Sequence, residues 1–284
     1  MSRAATEATA GRLAIGIDVG GSGIKAAMVD IDAGTFGSER VRIATPNPAT
    51  PEAVIASIGR IVRRLAKASA LGPSTPVGVG LPGVTLDDTL KSAANIDAGW
   101  IGFPVVERLR KATGRPVRIV NDADAAGIAE MRFGVGRGRP GVVIFLTLGT
   151  GVGSGVFVDG ILVPNTEFGQ MEIRGRAAER RSAAAARIRR GLSWKAWAQD
   201  LDEHLDRIDA LMWPNLMILG GGVSKQGEKF IPRLTVRCPV VAAQLRNDAG
   251  IIGAAIVAVE GIGRPDAARA APSANAAPRH EPGA

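Results

Sequence analysis

Two pairs of apolar runs, each pair joined by a glycine-rich turn, dominate the pattern of the chain. The first pair is "LAIGIDVGGSGIKAAMVD" at residues 13–30, and the second is "GVVIFLTLGTGVGSGVFVDG" at residues 141–160. Runs of this length, rich in Val and Ile and bounded by glycine, predict β-hairpins. Because the same pattern occurs twice, we infer an internal duplication.

Between and after these hairpins the pattern alternates between strands and helices, which is typical of the α/β class. Strands are predicted at "PVGVGLPGV", "PVRIVND" and "LMILG". Helices are predicted at 51–68, 105–112, 123–134, 177–212 and 250–259. From residue 261 onward Ala, Pro and Arg dominate, and we expect a disordered tail over 261–284 and a flexible start over 1–12.

Length and composition allow a large core. The chain has 284 residues, of which 46% are hydrophobic, so one large domain or two lobes would fit, and we favour two lobes. No stretch approaches the roughly 18 apolar residues of a membrane span, and the first ten residues lack a signal sequence, so we expect a cytoplasmic protein with no membrane partner. The single cysteine, Cys238, excludes an internal disulfide and is expected to be a buried small hydrophobe.

The excess of positive charge indicates an anionic partner. The formal net charge is +8, which would attract nucleic acid, acidic membranes or phosphorylated small molecules. Nucleic acid is disfavoured, because proteins that read single strands use stacking aromatic side chains, and here Tyr is absent and aromatics make up 4% of the chain.

The glycine turns lie between strands, whereas the Rossmann and Walker loops open a helix. A turn between strands can still hold phosphate, because glycines let successive backbone N–H groups point into one concavity. A tight hairpin without a ligand is the alternative. A third glycine run, 220–222, ends a strand and is predicted to open a helix.

Five motifs in this order, "DVGGSGIK", "NDADAAGIAE", "LGTGVGSG", "EFGQMEI" and "ILGGGVSK", resemble the ROK sugar kinases of the hexokinase and actin superfamily. Within that family the likeness is greatest to polyphosphate glucokinases and polyphosphate/ATP glucomannokinases. The resemblance implies a two-lobed hexokinase/actin-like (ribonuclease H-like) fold with a central cleft, and a homodimer. It places the lobes at 13–122 and 123–247, with a C-terminal helix at about 248–260 rejoining the first lobe.

The resemblance also implies a phosphoryl-donor site between the two hairpin turns. Asp18 would face the Mg²⁺ of the donor through water, and Lys25 would lie close behind the first turn. The loops that receive phosphate and nucleotide would comprise Gly20, Gly21, Ser22, Gly23, Gly149, Thr150, Gly151, Gly153, Gly220, Gly221 and Gly222. The last three would lie beside the adenosine of ATP.

"IVNDAD" places two polar side chains at a strand end, where they can reach a cleft. A helix N-cap would also explain Asn121 or Asp122, and Asp124 could serve as a cap too. Phosphoryl transfer to an alcohol uses a carboxylate that accepts the hydroxyl proton, and Asp122 matches the position of this base in the ROK kinases. The resemblance further assigns sugar contacts to Asn95, Asn121, Asp122 and Glu167.

One position departs from the family pattern. Gln170 stands where family members usually carry a histidine that contacts the sugar and, in zinc-containing relatives, also binds zinc. The cysteine cluster of those relatives is missing as well, so we expect no zinc. Glu179 in "AAERRS" is a candidate for a further sugar contact, or an ordinary exposed helix residue. The two histidines that remain, His204 and His280, are expected at the surface.

These observations predict a kinase that phosphorylates the 6-hydroxyl of glucose, with mannose as a further candidate, from polyphosphate, ATP or both. A sugar-binding regulator of the same family with weak catalysis is the alternative. Residues 174–190 hold seven arginines and one acid, a local charge of 7 − 1 = +6. A solvated helix face would explain this run, and so would a surface that binds a chain of phosphates.

Overall fold

The computed structural model describes residues 11–93 and 96–262. Two mixed sheets, two short two-stranded sheets and the helices packed on the mixed sheets form this part of the chain. The strands are β1 (Leu13–Gly20), β2 (Gly23–Asp30), β3 (Thr35–Phe36), β4 (Val41–Ile43), β5 (Val77–Leu81), β6 (Thr85–Leu86), β7 (Thr89–Leu90), β8 (Val117–Asn121), β9 (Val142–Leu148), β10 (Val152–Val158), β11 (Ile161–Val163), β12 (Glu172–Ile173), β13 (Arg176–Ala177), β14 (Leu216–Gly220) and β15 (Val240–Ala242). The helices are α1 (Pro51–Ala68), α2 (Val105–Thr113), α3 (Asp122–Phe133), α4 (Glu179–Ser182), α5 (Ala184–Arg189), α6 (Trp194–Met212) and α7 (Ala249–Glu260).

The two sheets repeat one topology. The first has the order β3-β2-β1-β5-β8, with β4 paired to β2, and the second has the order β11-β10-β9-β14-β15. In each sheet an antiparallel hairpin is extended by two parallel strands. The last parallel strand of each sheet leads into a helix, α3 after β8 and α7 after β15. This correspondence confirms the duplication inferred from the two glycine-turn hairpins.

Helix α1 shows how the local sequence defines an element at both ends. Thr50 caps it by accepting from the Ala53 N–H over 3.4 Å, and Pro51 occupies the first position, where a missing N–H costs nothing. One stripe of its apolar residues is buried against the first sheet, namely Val54, Ile55, Ile58, Ile61, Val62 and Leu65. The helix found at Pro51–Ala68 confirms the prediction for 51–68.

Helix α7 is buried on nearly every side, which explains its uniformly apolar sequence. It lies so close to the first sheet that a Cβ added at Gly16 or Gly78 would overlap a backbone carbonyl of α7. On its other side it packs on α3, where a Cβ at Gly253 would overlap the Ala125 carbonyl. Glycines at these contacts let the backbones of strands and helices approach directly.

The predicted helix over 177–212 was wrong as a single element. The segment contains β13, then the short helices α4 and α5, and only then the long helix α6. Ala183 is extended, Gly191 has φ +60°, and Ser193 caps α6 by accepting from the Ala196 N–H over 3.2 Å. An alanine-rich composition therefore concealed two breaks between helices.

Three further expectations concern the lobes, the ends of the chain and the membrane. The packing of α7 on β1 and β5 agrees with a C-terminal helix that rejoins the first lobe, while the lobe boundaries at residues 122 and 123 stay a prediction. His280 lies outside the described residues. So do the predicted ends of the chain, apart from residues 11–12 and 261–262. Within the described ranges, the helices are too short or too polar to cross a bilayer.

Candidate active site

The carboxyl ends of the parallel strands in both sheets open onto one cleft. Its cavity has a volume of about 350 Å³. Most of the predicted site residues line it: Asp18, Gly20, Gly21, Ser22, Lys25, Asn121, Asp122, Gly149, Thr150, Gly151, Gly153, Glu167, Gln170, Glu179, Gly221 and Gly222. Gly23 and Gly220 do not line the cavity, and Asn95 lies outside the described residues. Strand ends carry these groups because side chains there project from a rigid sheet into the crevice.

The first turn presents backbone and one ion pair to the cleft. Gly20 pairs with Gly23 across the hairpin, so the turn itself consists of the exposed Gly21 and Ser22. Lys25 donates from Nζ to Asp18 Oδ2 over 3.0 Å, and both side chains are largely buried. The turn thus places exposed backbone near a positive charge that is held beside a carboxylate.

The second turn lies at the end of β9. Leu148 pairs with Val152, and the Gly149 N–H donates to the Gly151 carbonyl across the loop over 3.0 Å. Next to it, Gly221 has φ +82°, and any side chain there would collide with the backbone of Leu148. Glycine is therefore required at position 221, where the end of β14 meets the second glycine turn.

Asn121 and Asp122 take different roles, one as the N-cap of a helix and the other as a side chain that faces the cleft. Asn121 is the N-cap of α3, because its Oδ1 accepts from the N–H groups of Ala123 and Asp124 over 2.8 and 3.1 Å. Its Nδ2 donates to the Gly83 carbonyl over 3.2 Å, so both ends of the amide already have protein partners. Asp122 is the first residue of the helix and turns its carboxylate to the cleft, where its Oδ1 accepts from the Ala123 N–H over 2.9 Å.

Asp122 holds its proton more tightly than an ordinary aspartate. Desolvation by burial raises its pKa to about 7, and the negative charge of Asp18 acts in the same direction. Its hydrogen bond from Ala123 opposes this shift, while Glu167 and Asp124 add to it. A carboxylate with a pKa near neutrality can take up a proton and release it again at working pH, as a general base requires.

Asp124 is a second carboxyl whose pKa is raised to about 7, again chiefly by burial. Its Oδ2 accepts from the Asn165 N–H over 2.8 Å, while its Oδ1 is the one buried side-chain polar atom without a partner among the described residues. Asn165 also accepts from the Thr85 N–H over 2.9 Å. Asp124 does not line the cleft, so it supports the site by holding the neighbouring segment at Asn165 in place.

Three polar side chains form the opposite wall. Glu179 accepts from the Val152 N–H through Oε2 over 3.0 Å and from Gln170 Nε2 through Oε1 over 3.1 Å. Glu167 is half-buried nearby, and burial together with the charge of Glu179 raises its pKa. Glu179 is therefore not an ordinary exposed helix residue. It binds the backbone of the second turn at Val152 and the side-chain amide of Gln170, the residue that departs from the family pattern.

The surface position expected for His204 was wrong. This histidine is buried, with 1% of its surface exposed. Its Nε2 lies 3.0 Å from the Phe168 carbonyl and its Nδ1 lies 2.9 Å from Ser182 Oγ. Because a carbonyl only accepts, Nε2 carries the proton. The Ser182 hydroxyl lies between Nδ1 and the Ala178 carbonyl, to which it can also donate over 3.0 Å. The polar sequence of α6 concealed a contact that only the folded chain creates.

Several arginines of residues 174–190 are paired with acids, so the run is not simply a solvated helix face. Arg174 and Arg181 pair with Glu203 over 2.8 and 2.9 Å, and Arg181 and Arg190 both pair with Asp200. These acids belong to α6, so helix packing neutralises part of the local charge. Arg187 stacks over the ring of Trp194, with its guanidinium carbon 3.9 Å from the ring centre.

In the described part of the chain, the cleft contains no preformed multi-ligand metal cage, since no three His, Cys, Asp or Glu side chains gather there. Mg²⁺ commonly binds one or two carboxylates, several waters and substrate phosphates. The carboxylate of Asp18 at the cleft suits that mode.

Cys238 is buried, as expected, and burial raises its pKa to about 11. The absence of zinc stays a prediction.

Arg246 and Asn247, in the 3-10 turn between β15 and α7, line the cleft and were not among the predicted site residues. The sequence did contain a signal, because "NDA" occurs at residues 121–123 before α3 and again at 247–249 before α7. With the duplication, these two segments occupy equivalent places after the last strand of each sheet. The second copy therefore marks the opposite side of the same cleft.

With this geometry established, comparison with known proteins identifies the family. A profile of the ROK family matches residues 14–171. The chain belongs to the ROK family. This ROK protein is 44% identical over 253 residues to the polyphosphate glucokinase of Mycobacterium tuberculosis, which covers 89% of this chain and 93% of the relative.

Two solved structures place the ROK protein among two-lobed sugar kinases. The inorganic polyphosphate/ATP-glucomannokinase of Arthrobacter sp. strain KM is 46% identical, with a TM-score of 0.84 over 86% of this chain and 97% of the other. A ROK family glucokinase from Streptomyces griseus, solved with glucose and AMPPNP, is 27% identical, with a TM-score of 0.75 over 87% of this chain and 99% of the other. The predicted fold and the predicted family are confirmed.

Proposed function

We propose that this chain transfers the terminal phosphoryl group of polyphosphate or ATP to the 6-hydroxyl of glucose, with mannose as a further candidate acceptor. The observation that carries the proposal is the position of Asp122, whose carboxylate faces the cleft between two glycine turns and has its pKa raised to about 7. The relatives named polyphosphate glucokinase and glucomannokinase support this activity.

Asp122 acts as the general base. As the sugar oxygen forms its bond to the terminal phosphorus, the hydroxyl proton passes to the Asp122 carboxylate, and the bond between phosphorus and the bridging oxygen breaks. The electron pair of that bond stays on the shortened donor. The low polarity that raises the pKa of Asp122 also strengthens its attraction for the proton of the incoming hydroxyl.

The glycine turns hold the donor. Backbone N–H groups of Gly21 and Ser22 in the first turn and of Thr150 and Gly151 in the second stabilise the phosphates, and Lys25 supplies positive charge. The adenosine of ATP lies beside the run Gly220 to Gly222. Asp18 would hold the Mg²⁺ of the donor through water, and the ion would supply charge neutralisation for the phosphate oxygens.

The sugar occupies the end of the cleft formed by polar side chains. Asn95, Asn121, Glu167, Gln170 and Glu179 bind its hydroxyls in this proposal. The contact of Gln170 with Glu179 supports it, since the pair offers a donor and acceptors at one place. A regulator with weak catalysis is not favoured, because Asp122 and both turns are present and the 44%-identical relative is named a glucokinase.

We also propose a homodimer. The edge strand β11 supports it, because Ile161 and Val163 remain 39% and 44% exposed there. An edge strand with exposed apolar side chains is a natural place for a second chain to pack. Sedimentation equilibrium at micromolar concentration would give twice the chain mass, and a monomer mass would contradict the proposal.

The direct test of the activity is a coupled assay for glucose 6-phosphate with the purified protein, glucose and Mg²⁺. Long-chain polyphosphate and ATP are supplied separately. Formation of glucose 6-phosphate with either donor supports the proposal, and mannose in place of glucose tests the second acceptor. No product with either donor, in protein that is folded by circular dichroism, would overturn it.

A further inference from the structure

A second cavity, of about 770 Å³, lies beside the cleft. Its volume is within the range of about 300–1,000 Å³ typical for ligand sites. Its walls consist mainly of arginines, namely Arg176, Arg180, Arg181, Arg189 and Arg190, with Glu179 as the acidic side chain among its lining residues. A cavity lined in this way is suited to an anion with several charges.

Three of these arginines are available to a ligand. Arg181 and Arg190 are neutralised by Asp200, whereas Arg176, Arg180 and Arg189 form no ion pair among the described residues. All three are exposed. Their charges repel one another at close range, and an anion that contacts all three would relieve that repulsion.

The arginine cavity is joined to the cleft through the second glycine turn. Thr150 and Glu179 line both cavities. A hydrogen bond also links the two, because the Ala185 N–H near the start of α5 donates to the Gly149 carbonyl over 3.0 Å. A chain of phosphates that ends in the cleft could therefore continue past Thr150 to the arginines.

We propose that Arg176, Arg180 and Arg189 form a subsite for the inner phosphates of a polyphosphate chain, whose terminal phosphoryl group lies in the cleft. This inference rests on the proposed function and adds the residues that distinguish the two donors. Guanidinium groups match phosphate oxygens with paired N–H donors, so three arginines can hold several successive phosphates. The Arg187 guanidinium has no part in it, because it stacks on Trp194 outside the cavity.

ATP makes different contacts in this arrangement. Gly221, Gly222, Arg246 and Asn247 line the cleft but not the arginine cavity. With adenosine on that side, the three phosphates of ATP end at the cleft and leave the arginine cavity to solvent. The two donors therefore share the reacting centre and separate beyond it.

The test compares two triple variants that remove equal charge. Arg176→Gln, Arg180→Gln and Arg189→Gln together change the proposed subsite. Arg137→Gln, Arg139→Gln and Arg207→Gln together change exposed arginines that line neither cavity. The measured quantities are the KM values for long-chain polyphosphate and for ATP at several salt concentrations, and the affinity for polyphosphate by isothermal titration calorimetry.

For the subsite variant we expect a rise of about tenfold or more in the KM and the dissociation constant for polyphosphate. The KM for ATP should stay within about twofold, and the salt dependence of polyphosphate binding should weaken as the arginine contacts are lost. The control variant should behave as the unmodified protein does. Equal losses for both donors, or equal losses in both variants, would overturn the subsite while leaving the kinase activity intact.

The two proposals fail in different ways. If neither donor yields glucose 6-phosphate, the proposed function is wrong, and calorimetry with polyphosphate still decides the subsite. Binding of polyphosphate that is lost only in the subsite variant supports it in that case. Binding that is absent, or that is the same in both variants, overturns it.

Discussion

Replacing His204 by alanine tests how the sugar end of the cleft is supported. The ring joins α6 to two other segments, through Ser182 at the end of α4 and through the carbonyl of Phe168. Phe168 stands between Glu167 and Gln170 in the chain, so the ring holds the backbone from which two proposed sugar contacts project. The change His204→Ala removes both hydrogen bonds and leaves a cavity in a buried place.

The size of the effect follows from these contacts. Each lost hydrogen bond costs about 0.5–1.5 kcal/mol rather than the larger penalty of an unsatisfied buried group. The reason is that Ser182 Oγ still donates to the Ala178 carbonyl over 3.0 Å and the Phe168 carbonyl still accepts from the Met171 N–H over 3.1 Å. With the lost packing, we expect the free energy of unfolding to fall by about 3–5 kcal/mol. The KM for glucose should rise several-fold, because the loop carrying Glu167 and Gln170 is no longer fixed.

The pH dependence of the folding stability gives a second, independent test of the role of His204. Burial lowers the pKa of His204 below its ordinary value of 6.5. The unfolded chain therefore binds a proton at pH values where the folded chain does not. This contribution to stability is fully present above pH 6.5 and is lost as the pH falls through the lowered folded pKa. The alanine variant should lack this loss.

The assay is urea unfolding at pH 7.5 and pH 5.5, combined with glucose kinetics. Asp206→Ala serves as the control, since Asp206 is exposed on the same helix. We expect near-normal stability and KM for the control. A loss below about 1 kcal/mol for His204→Ala, or an unchanged KM for glucose in a clearly destabilised protein, would refute the role assigned to the histidine.

Three shorter predictions follow from the site and the core. With donor and glucose well below saturation, kcat/KM should fall about tenfold per pH unit below about 7, where Asp122 becomes protonated, and this limb should vanish in Asp122→Asn; a limb that persists would belong to another group. Gln170→His should lower the KM for glucose, and an unchanged value would mean that position 170 serves Glu179 rather than the sugar. Gly78→Ala should lower stability by about 2–4 kcal/mol in urea unfolding, because its Cβ would overlap the backbone of α7, whereas Gly72→Ala has room and should have little effect; equal effects would refute the close contact.

Elements whose cause lies within a short stretch of chain were predictable. The two hairpins follow from apolar runs around glycine turns, and α1 follows from a capping Thr50, a proline and an apolar stripe. The position of Asp122 at a strand end was predictable for the same reason. These features depend on neighbours within about ten residues, so the printed sequence contains most of the information.

Features that depend on distant partners were not predictable in the same way. The ion pairs of Arg181 depend on Asp200 and Glu203, and the hydrogen bonds of His204 depend on Phe168 and Ser182. Helical periodicity cannot show which face of α6 meets α4, because both faces carry polar residues. Composition therefore gave the correct sign of the charge near residue 180 but not which arginines remain free.

The central claim is that Asp122 accepts the proton of the sugar hydroxyl, and the most direct test is turnover of Asp122→Asn in the glucose 6-phosphate assay beside Asp124→Asn. Both substitutions keep the size of the side chain, and both carboxyls have a pKa raised to about 7, but Asp122 alone of the two lines the cleft. We predict that Asp122→Asn lowers kcat by about 10² to 10⁴ while glucose still binds, and that Asp124→Asn keeps most of its turnover. Near-normal turnover in Asp122→Asn would contradict the account.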